Sequence, residues 1–310
     1  MPIFDRYIAV DWSANNGPKT GKDSIWIGEA TPFGLLASRN PATRALAMCD
    51  IEQTLLAARS RGERIMLGFD FVFGFPVGAA EAITQATGER GRGADEGAPH
   101  APWRHLWSTL HTLITDTDAN LSNRFDVAAH INHATAPRFW GHPHGRSYEH
   151  LAPTRAASDY TTIAERRGVE SRIRGPQPVW KLTGVGAVGS QTLLGIPRLE
   201  TLRRHPALGR DIAVWPFETD FEHNLAAGIA LVEIYPSFFP LDVAADPKDR
   251  AQVETCVLRY AALDAAGLLA TFLSAPPDIS PAIRAAAIAE EGWIAGVGHE
   301  HLRLALPEAA

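Results

Sequence analysis

The sequence predicts an α/β fold: a mixed sheet flanked by helices, with a large inserted segment that is mostly helical or irregular. Three observations predict it. Short apolar runs and turn signals near the start read as a strand meander, then a helix, then a further strand. A strand and two helices stand near the C-terminus. Between them, residues 86–210 are rich in Gly, Pro, His, Arg and Trp and offer few periodic strands.

Residues 7–11 are an apolar run that closes on an acid, Asp11. Turn chemistry fills 15–23, and "SIWIGEA" (24–30) alternates as a second strand. "PFG" turns the chain, and "LLASRN" supplies a third strand. "CDIEQTLLAARSRG" (49–62) reads as a helix, with Asp50 as N-cap, Gln53 in the reciprocal position and Gly62 as the stop. "RIMLGFD" (64–70) is a buried strand that again ends on an acid, Asp70. Further on, "GIALVEIYPS" (228–237) is a central-type strand carrying Glu233 and broken by Pro236. Residues 246–277 hold a long helix halted by a proline pair. Residues 280–291 give a shorter helix, and "GWIAGV" reads as a last strand.

With 310 residues, 45% of them hydrophobic and 21% charged, the chain has the composition of a soluble globular protein able to bury a large core. A net charge of −6 argues against a general nucleic-acid coat or a polybasic membrane binder. Cys49 and Cys256 are too far apart for zinc spacing or a disulfide framework and read as thiols in a reducing compartment. The N-terminus lacks the basic and apolar regions of a signal peptide, and no apolar run reaches the ~18–20 residues of a membrane span. These features predict a cytoplasmic protein. Charge is distributed unevenly: residues 86–210 carry 16 basic and 11 acidic side chains, the flanks 13 and 24. The split predicts a discontinuous core, 1–85 and 211–310, with 86–210 as an inserted cap. Within the cap, 88–102 is the most loop-like stretch.

Four acids call for an explanation. Asp11 and Asp70 close apolar strands, Glu233 lies inside another, and Asp264 falls on an apolar helix face. Unpaired buried carboxylates are costly, so such acids cap a turn, pair with a base or bind a cation. Taken singly, each has a plain structural role open to it: an Asx-turn, a loop contact, a surface-facing position or a salt bridge.

Taken together, the order of elements and the acid positions resemble the ribonuclease H-like superfamily. Within it the chain is most similar to the predicted-nuclease family known as DUF429. "AVDWSA" stands where that family has a "VDG"-like turn, "GFDFVFGFPVG" (68–78) where it has "IDIPIGLP", "VEIYPS" (232–237) where it has "EVYPE", and "RYAALDAAGLLA" (259–270) where it has "DDALDALAAA". The likeness covers the two flanks. It departs at Trp12 and Ser13, which replace the glycine after the first acid, and at Tyr260 and Ala261, which stand where the family often has acids.

What the resemblance implies is a metal-dependent phosphodiester hydrolase, with Asp11, Asp70, Glu233 and Asp264 as catalytic residues and ligands of two Mg2+ or Mn2+ ions. Two such ions activate water and stabilise the leaving oxygen, and hard cations take oxygen ligands. Asp11 is the expected bridging ligand, Asp70 and Asp264 flank it, and Glu233 is a ligand or a water-orienting base. The partner is a nucleic acid or a nucleotide-like phosphate. Two alternatives stand beside the nuclease: a metal-dependent hydrolase or transferase acting on a small nucleotide or phosphorylated metabolite, and a binding module that kept the fold and lost the chemistry, as Tyr260 and Ala261 suggest.

The inserted segment contains further candidates. "GVGAVG" (184–189) matches the dinucleotide fingerprint in letters, but Pro197 and the helical setting of Glu200 argue instead for a glycine hinge or an anion-cradling loop. Gln191 follows that loop and is a substrate-binding candidate through the family likeness. Arg172, Arg174 and Lys181, with Trp180 alongside, suit phosphate binding and base stacking; a solvated helix face is the plain alternative. Lys22 and Lys248 are weaker phosphate candidates. Eight of the twelve histidines fall between 100 and 150, with H-x-x-H and H-x-H spacings that suit zinc or nickel, yet no cysteine or carboxylate completes a set. Trp103, Trp107, Phe139 and Trp140 read as the cap's core rather than a stacking platform.

Overall fold

Alternate side chains of the first strand enter two different cores, and this alternation places the rest of the chain. The computed structural model describes residues 2–88, 101–222, 228–241 and 245–304. Strand β1 (Arg6–Asp11) sends Ile8 and Val10 to one face of the sheet and Tyr7 and Ala9 to the other. It pairs antiparallel with β2 (Trp26–Thr31), which pairs antiparallel with β3 (Gly34–Arg39). On its other side β1 pairs in parallel with β4 (Ile65–Phe69), β4 with β6 (Ile229–Glu233), and β6 with the short β5 (Ile212–Val214). The result is a six-stranded mixed sheet of order β3-β2-β1-β4-β6-β5 flanked by helices, an α/β fold.

One face is covered by α1 (Arg44–Ser60), α2 (Ala79–Ala86), α3 (Pro102–Leu113), α4 (Arg124–Ala134) and α5 (Gly189–Arg203). Trp103, Trp107 and Phe139 are buried there with Ile8, Val10 and Phe69, so the inserted segment's aromatic residues share the sheet's core. Trp140 is only partly buried against it. The other face is covered by α6 (Lys248–Ala265) and α7 (Leu269–Phe272), whose Val253, Cys256, Val257, Leu263 and Phe272 pack on Ala9, Met66 and Val232. Gly28 allows α6 to lie close on β2: a Cβ there would stand 2.8 Å from the Val253 carbonyl carbon.

Several boundaries differ from the sequence expectation. Helix α1 begins six residues before Asp50, because Thr43 caps it and accepts a hydrogen bond from the Leu46 amide at 3.3 Å. The long C-terminal helix ends at Ala265, before the proline pair, and Gly267 (φ +71°) follows. "GWIAGV" is not a strand; Gly292 and Gly296 adopt positive φ and the chain turns, giving β6 one hydrogen bond, from the Ala295 amide to the Glu233 carbonyl. Nearly all of the loop-like stretch 88–102 lies outside the described residues. Both cysteines are free, Cys256 buried and Cys49 exposed. No helix among the described residues is long and apolar enough to cross a membrane.

Candidate functional site

The carboxyl ends of β1, β4 and β6 lie along one edge of the sheet, and the register decides which acids meet there. Val10 is level with Phe69, so the next residues, Asp11 and Asp70, are level too and share a face. The Asp70 amide donates to the Val10 carbonyl at 3.2 Å, and the Trp12 amide donates to the Asp70 carboxylate at 2.7 Å. Burial, with Asp70 beside it, pushes Asp11 well above the usual carboxylate range. Burial also raises Asp70, to about 7, against the hydrogen bonds from Trp12 and Asp11. Neither acid forms an ion pair among the described residues.

Glu233 is level with Phe69, one residue short of Asp70, and therefore points to the opposite face. There it meets Arg167 of the inserted segment in a two-pronged pair, 2.6 and 2.8 Å, and accepts the Phe73 amide at 2.9 Å. Arg167 also binds Glu170 at 2.9 Å and the Glu291 carbonyl at 2.7 Å. The Glu170–Arg167–Glu233 triad is buried, and burial holds Glu233 above its ordinary pKa even with Arg167 beside it. Glu233, expected as a metal ligand or base, borders the cleft with its carboxylate bound to Arg167 and turned to the face opposite Asp11 and Asp70.

Asp264, expected as a flanking ligand, is not brought to the cleft. It lies at the far end of α6, about 22 Å along the helix from Asp249 by the helical rise. Its carboxylate accepts the amides of Ile3 and Phe4 at 2.8–2.9 Å and the Tyr7 hydroxyl at 2.6 Å, tying the N-terminal segment to the helix. Asp264→Ala is expected to cost about 2–3 kcal/mol through these lost partners. Chemical denaturation measures that loss, and Mn2+ titration of the same variant should match the parent chain.

The helical acid that does reach the site is Asp249, in the first turn of α6. Its carboxylate accepts the Asp23 amide at 2.6 Å, and its charge raises both Asp11 and Asp70. The four aspartates 11, 23, 70 and 249 line a cleft of about 790 Å³. Arg44, at the start of α1, braces the turn after Asp11 by donating to the Ser13 and Asn15 carbonyls, each at 3.0 Å, while Asp116 holds the guanidinium by two hydrogen bonds of 2.6 and 2.8 Å.

The opposite wall comes from the inserted segment. Gly184 (φ +91°) and Gly186 (φ +69°) turn the chain into α5, and Gln191 in its first turn donates to the Trp12 carbonyl and lines the cleft. No strand precedes this loop, so "GVGAVG" is not a dinucleotide fingerprint. Arg172, Arg174 and Lys181 are not among the described residues lining the cleft. Arg172 pairs with Asp278, Arg174 is exposed, and the Lys181 ammonium donates to the Val185 carbonyl at 2.6 Å. His133 and His150 stack with ring centres 4.2 Å apart, yet no group of three or more metal-ligating side chains is assembled anywhere among the described residues.

The chain matches no protein-family model, no curated protein and no solved structure. The geometry of the cleft therefore carries the functional reading.

Proposed function

We propose that the protein is a metal-dependent hydrolase of phosphate esters, acting in the Asp11–Asp70 cleft on a substrate of nucleotide size. The observation that carries this reading is the acid pair itself. Two desolvated carboxyls stand side by side at the carboxyl edge of a parallel strand pair, where open α/β sheets bind ligands, and no cationic side chain among the described residues neutralises them. Such a pair holds a proton or a cation. Its oxygen donors, with the negative charge of Asp249 and Asp23 behind them, suit Mg2+ or Mn2+, which bind through one or two carboxylates and keep water or substrate in the remaining positions.

Two carboxylates fit one ion rather than the two that the family resemblance implies. Asp11 and Asp70 would hold it, and it would supply a water of lowered pKa and neutralise phosphoryl charge. Gln191 links the inserted wall to the Trp12 carbonyl next to the pair and keeps the cleft's two sides in register. The ribonuclease H-like resemblance is compatible with this sheet, in which an antiparallel meander continues into parallel strands.

Substrate size follows from the walls. A cleft of about 790 Å³ is in the range that takes a small ligand. Among the described residues it is lined by four aspartates and by only two arginines, one of them consumed by Glu233. A polynucleotide would need a track of free basic groups.

Calorimetric titration of the full chain with Mn2+ at pH 7.5 should show one ion bound with proton release. Turnover of bis(p-nitrophenyl) phosphate and of nucleoside phosphates should depend on that ion. Absence of Mn2+ binding would sink the proposal, and preferential cleavage of oligonucleotides would restore the nuclease reading.

A further inference from the structure

Arg124 stands in a place that opposes its charge in four ways. It is only 6% exposed, and burying a guanidinium is costly unless an acid compensates. It is the first residue of α4, at the positive end of the helix dipole. A second buried cation, Arg44, repels it more than the nearby Asp116 attracts it, and Arg44 rather than Arg124 holds the Asp116 carboxylate, by two hydrogen bonds. Finally, its hydrogen-bond partners are all neutral: Ser190 Oγ at 3.1 Å, Ser122 Oγ at 2.8 Å and Asn16 Oδ1 at 3.5 Å. The guanidinium lies over the Phe125 ring, 4.4 Å from its centre. Of the other buried arginines, Arg6, Arg44 and Arg167 each have a carboxylate partner, while Arg138, which does not line this cleft, bonds the Thr162 hydroxyl; Arg124 is the buried arginine that lines the cleft with no carboxylate bonded to it among the described residues. Burial, with Arg44 next, lowers the Arg124 pKa to about 10.

A fold keeps a side chain in so unfavourable a position when a ligand supplies what is missing. Arg124 lines the same cleft as Asp11 and Asp70. Ser190, which fixes its Nε, is the second residue of α5; the Gly189 amide before it is taken by the Lys181 carbonyl at 2.9 Å, and the Ser190 and Gln191 amides have no partner within the helix. The Ser190 hydroxyl in turn donates to the Leu182 carbonyl at 2.7 Å, so the guanidinium is held by a hydrogen-bonded chain. The cleft thus has a cation-seeking wall, the aspartates, and an anion-seeking wall, Arg124 with the glycine turn and the start of α5.

We propose that Arg124 is the specificity-determining residue of the cleft and binds the phosphoryl group of the substrate, which supplies the directly bonded anion that no described residue gives it. This inference rests on reading the cleft as a phosphate-ester site. It adds the substrate's recognised group and the residue that recognises it, and it explains why a cleft so rich in acids admits an anion.

The test uses inorganic phosphate as the probe and the full chain with and without Mn2+. Calorimetry should show phosphate binding to the parent chain, weakened roughly tenfold to hundredfold in Arg124→Gln, as for loss of a charge-assisted hydrogen bond. Arg124→Lys, which keeps the charge and loses the fork, should fall between the two. Mn2+ affinity measured without phosphate should be unchanged in both variants. Because Arg124 is electrostatically unfavourable in the free protein, Arg124→Gln should melt at or above the parent temperature, so weakened binding cannot be assigned to unfolding. Unaltered phosphate affinity in Arg124→Gln, or no phosphate binding by the parent chain, overturns the assignment. Loss of phosphate binding in Arg124→Gln while the parent chain binds no Mn2+ would leave the anion site standing and remove the metal-dependent reading.

Discussion

Asp70→Asn is expected to abolish Mn2+ binding and to make the metal-free protein more stable at pH 8. The carboxyl of Asp70 is raised from its ordinary value of 3.8 to about 7, chiefly by burial. A carboxyl whose folded pKa exceeds its unfolded value gives the folded state extra protons between those two values. Its contribution to stability is complete below about pH 4 and is lost as the pH climbs through 7. The full shift would correspond to roughly 4 kcal/mol. Because the group opens on the cleft, about 2 kcal/mol is the expected loss. Asparagine does not ionise and can still accept the Trp12 amide, so it escapes that loss. In the presence of a chelator, the variant should melt about 4 °C above the parent at pH 8 and level with it at pH 4.5. Asp11→Asn should behave in the same direction, since burial raises Asp11 too. Added Mn2+ should reverse the order at pH 8 by stabilising only the parent. A variant less stable than the parent at pH 8 without metal would show that the acids serve the fold rather than a ligand.

The sequence exposes the strands and the first acid pair because both rest on local pattern. Apolar runs ending on Asp11 and Asp70 mark β1 and β4, and adjacent parallel strands of similar length bring their ends level. Glu233 could not be placed the same way. Its role depends on a one-residue difference in register, level with Phe69 rather than Asp70, and strand alternation turns that single step into the opposite face of the sheet. No local signal carries register between strands separated by about 160 residues.

The helical acid is a different kind of miss. A strand that leaves the sheet at its carboxyl edge delivers the chain to the start of the next helix, so the first turn of α6 faces the site and the last turn faces away. "DPKD" therefore held the signal in Asp249, and the family-like "ALDA" drew attention to the wrong end. Arg124 has no motif at all; its interest comes from burial, a helix terminus and a neighbouring cation, all of which exist only in the folded chain.

Arg167→Leu is expected to be the most damaging single change near the cleft. It leaves Glu170 and Glu233 buried with no cation between them and removes the bond to the Glu291 carbonyl. Removing one partner of a buried ion pair typically costs 3–5 kcal/mol, and a loss of about that size, near 6–10 °C in melting temperature, should appear in thermal unfolding. The triple change Arg167→Leu, Glu170→Leu, Glu233→Met should recover most of it, because replacing a whole buried charge group with apolar side chains of similar volume is often neutral or better. Mn2+ titration of the triple variant separates the two roles proposed for Glu233. A site built on Asp11 and Asp70 keeps its affinity when Glu233 is gone. A site in which Glu233 is a ligand loses it, and that result would return the third acid to the metal and leave the Arg167 pair as a resting arrangement that opens on binding.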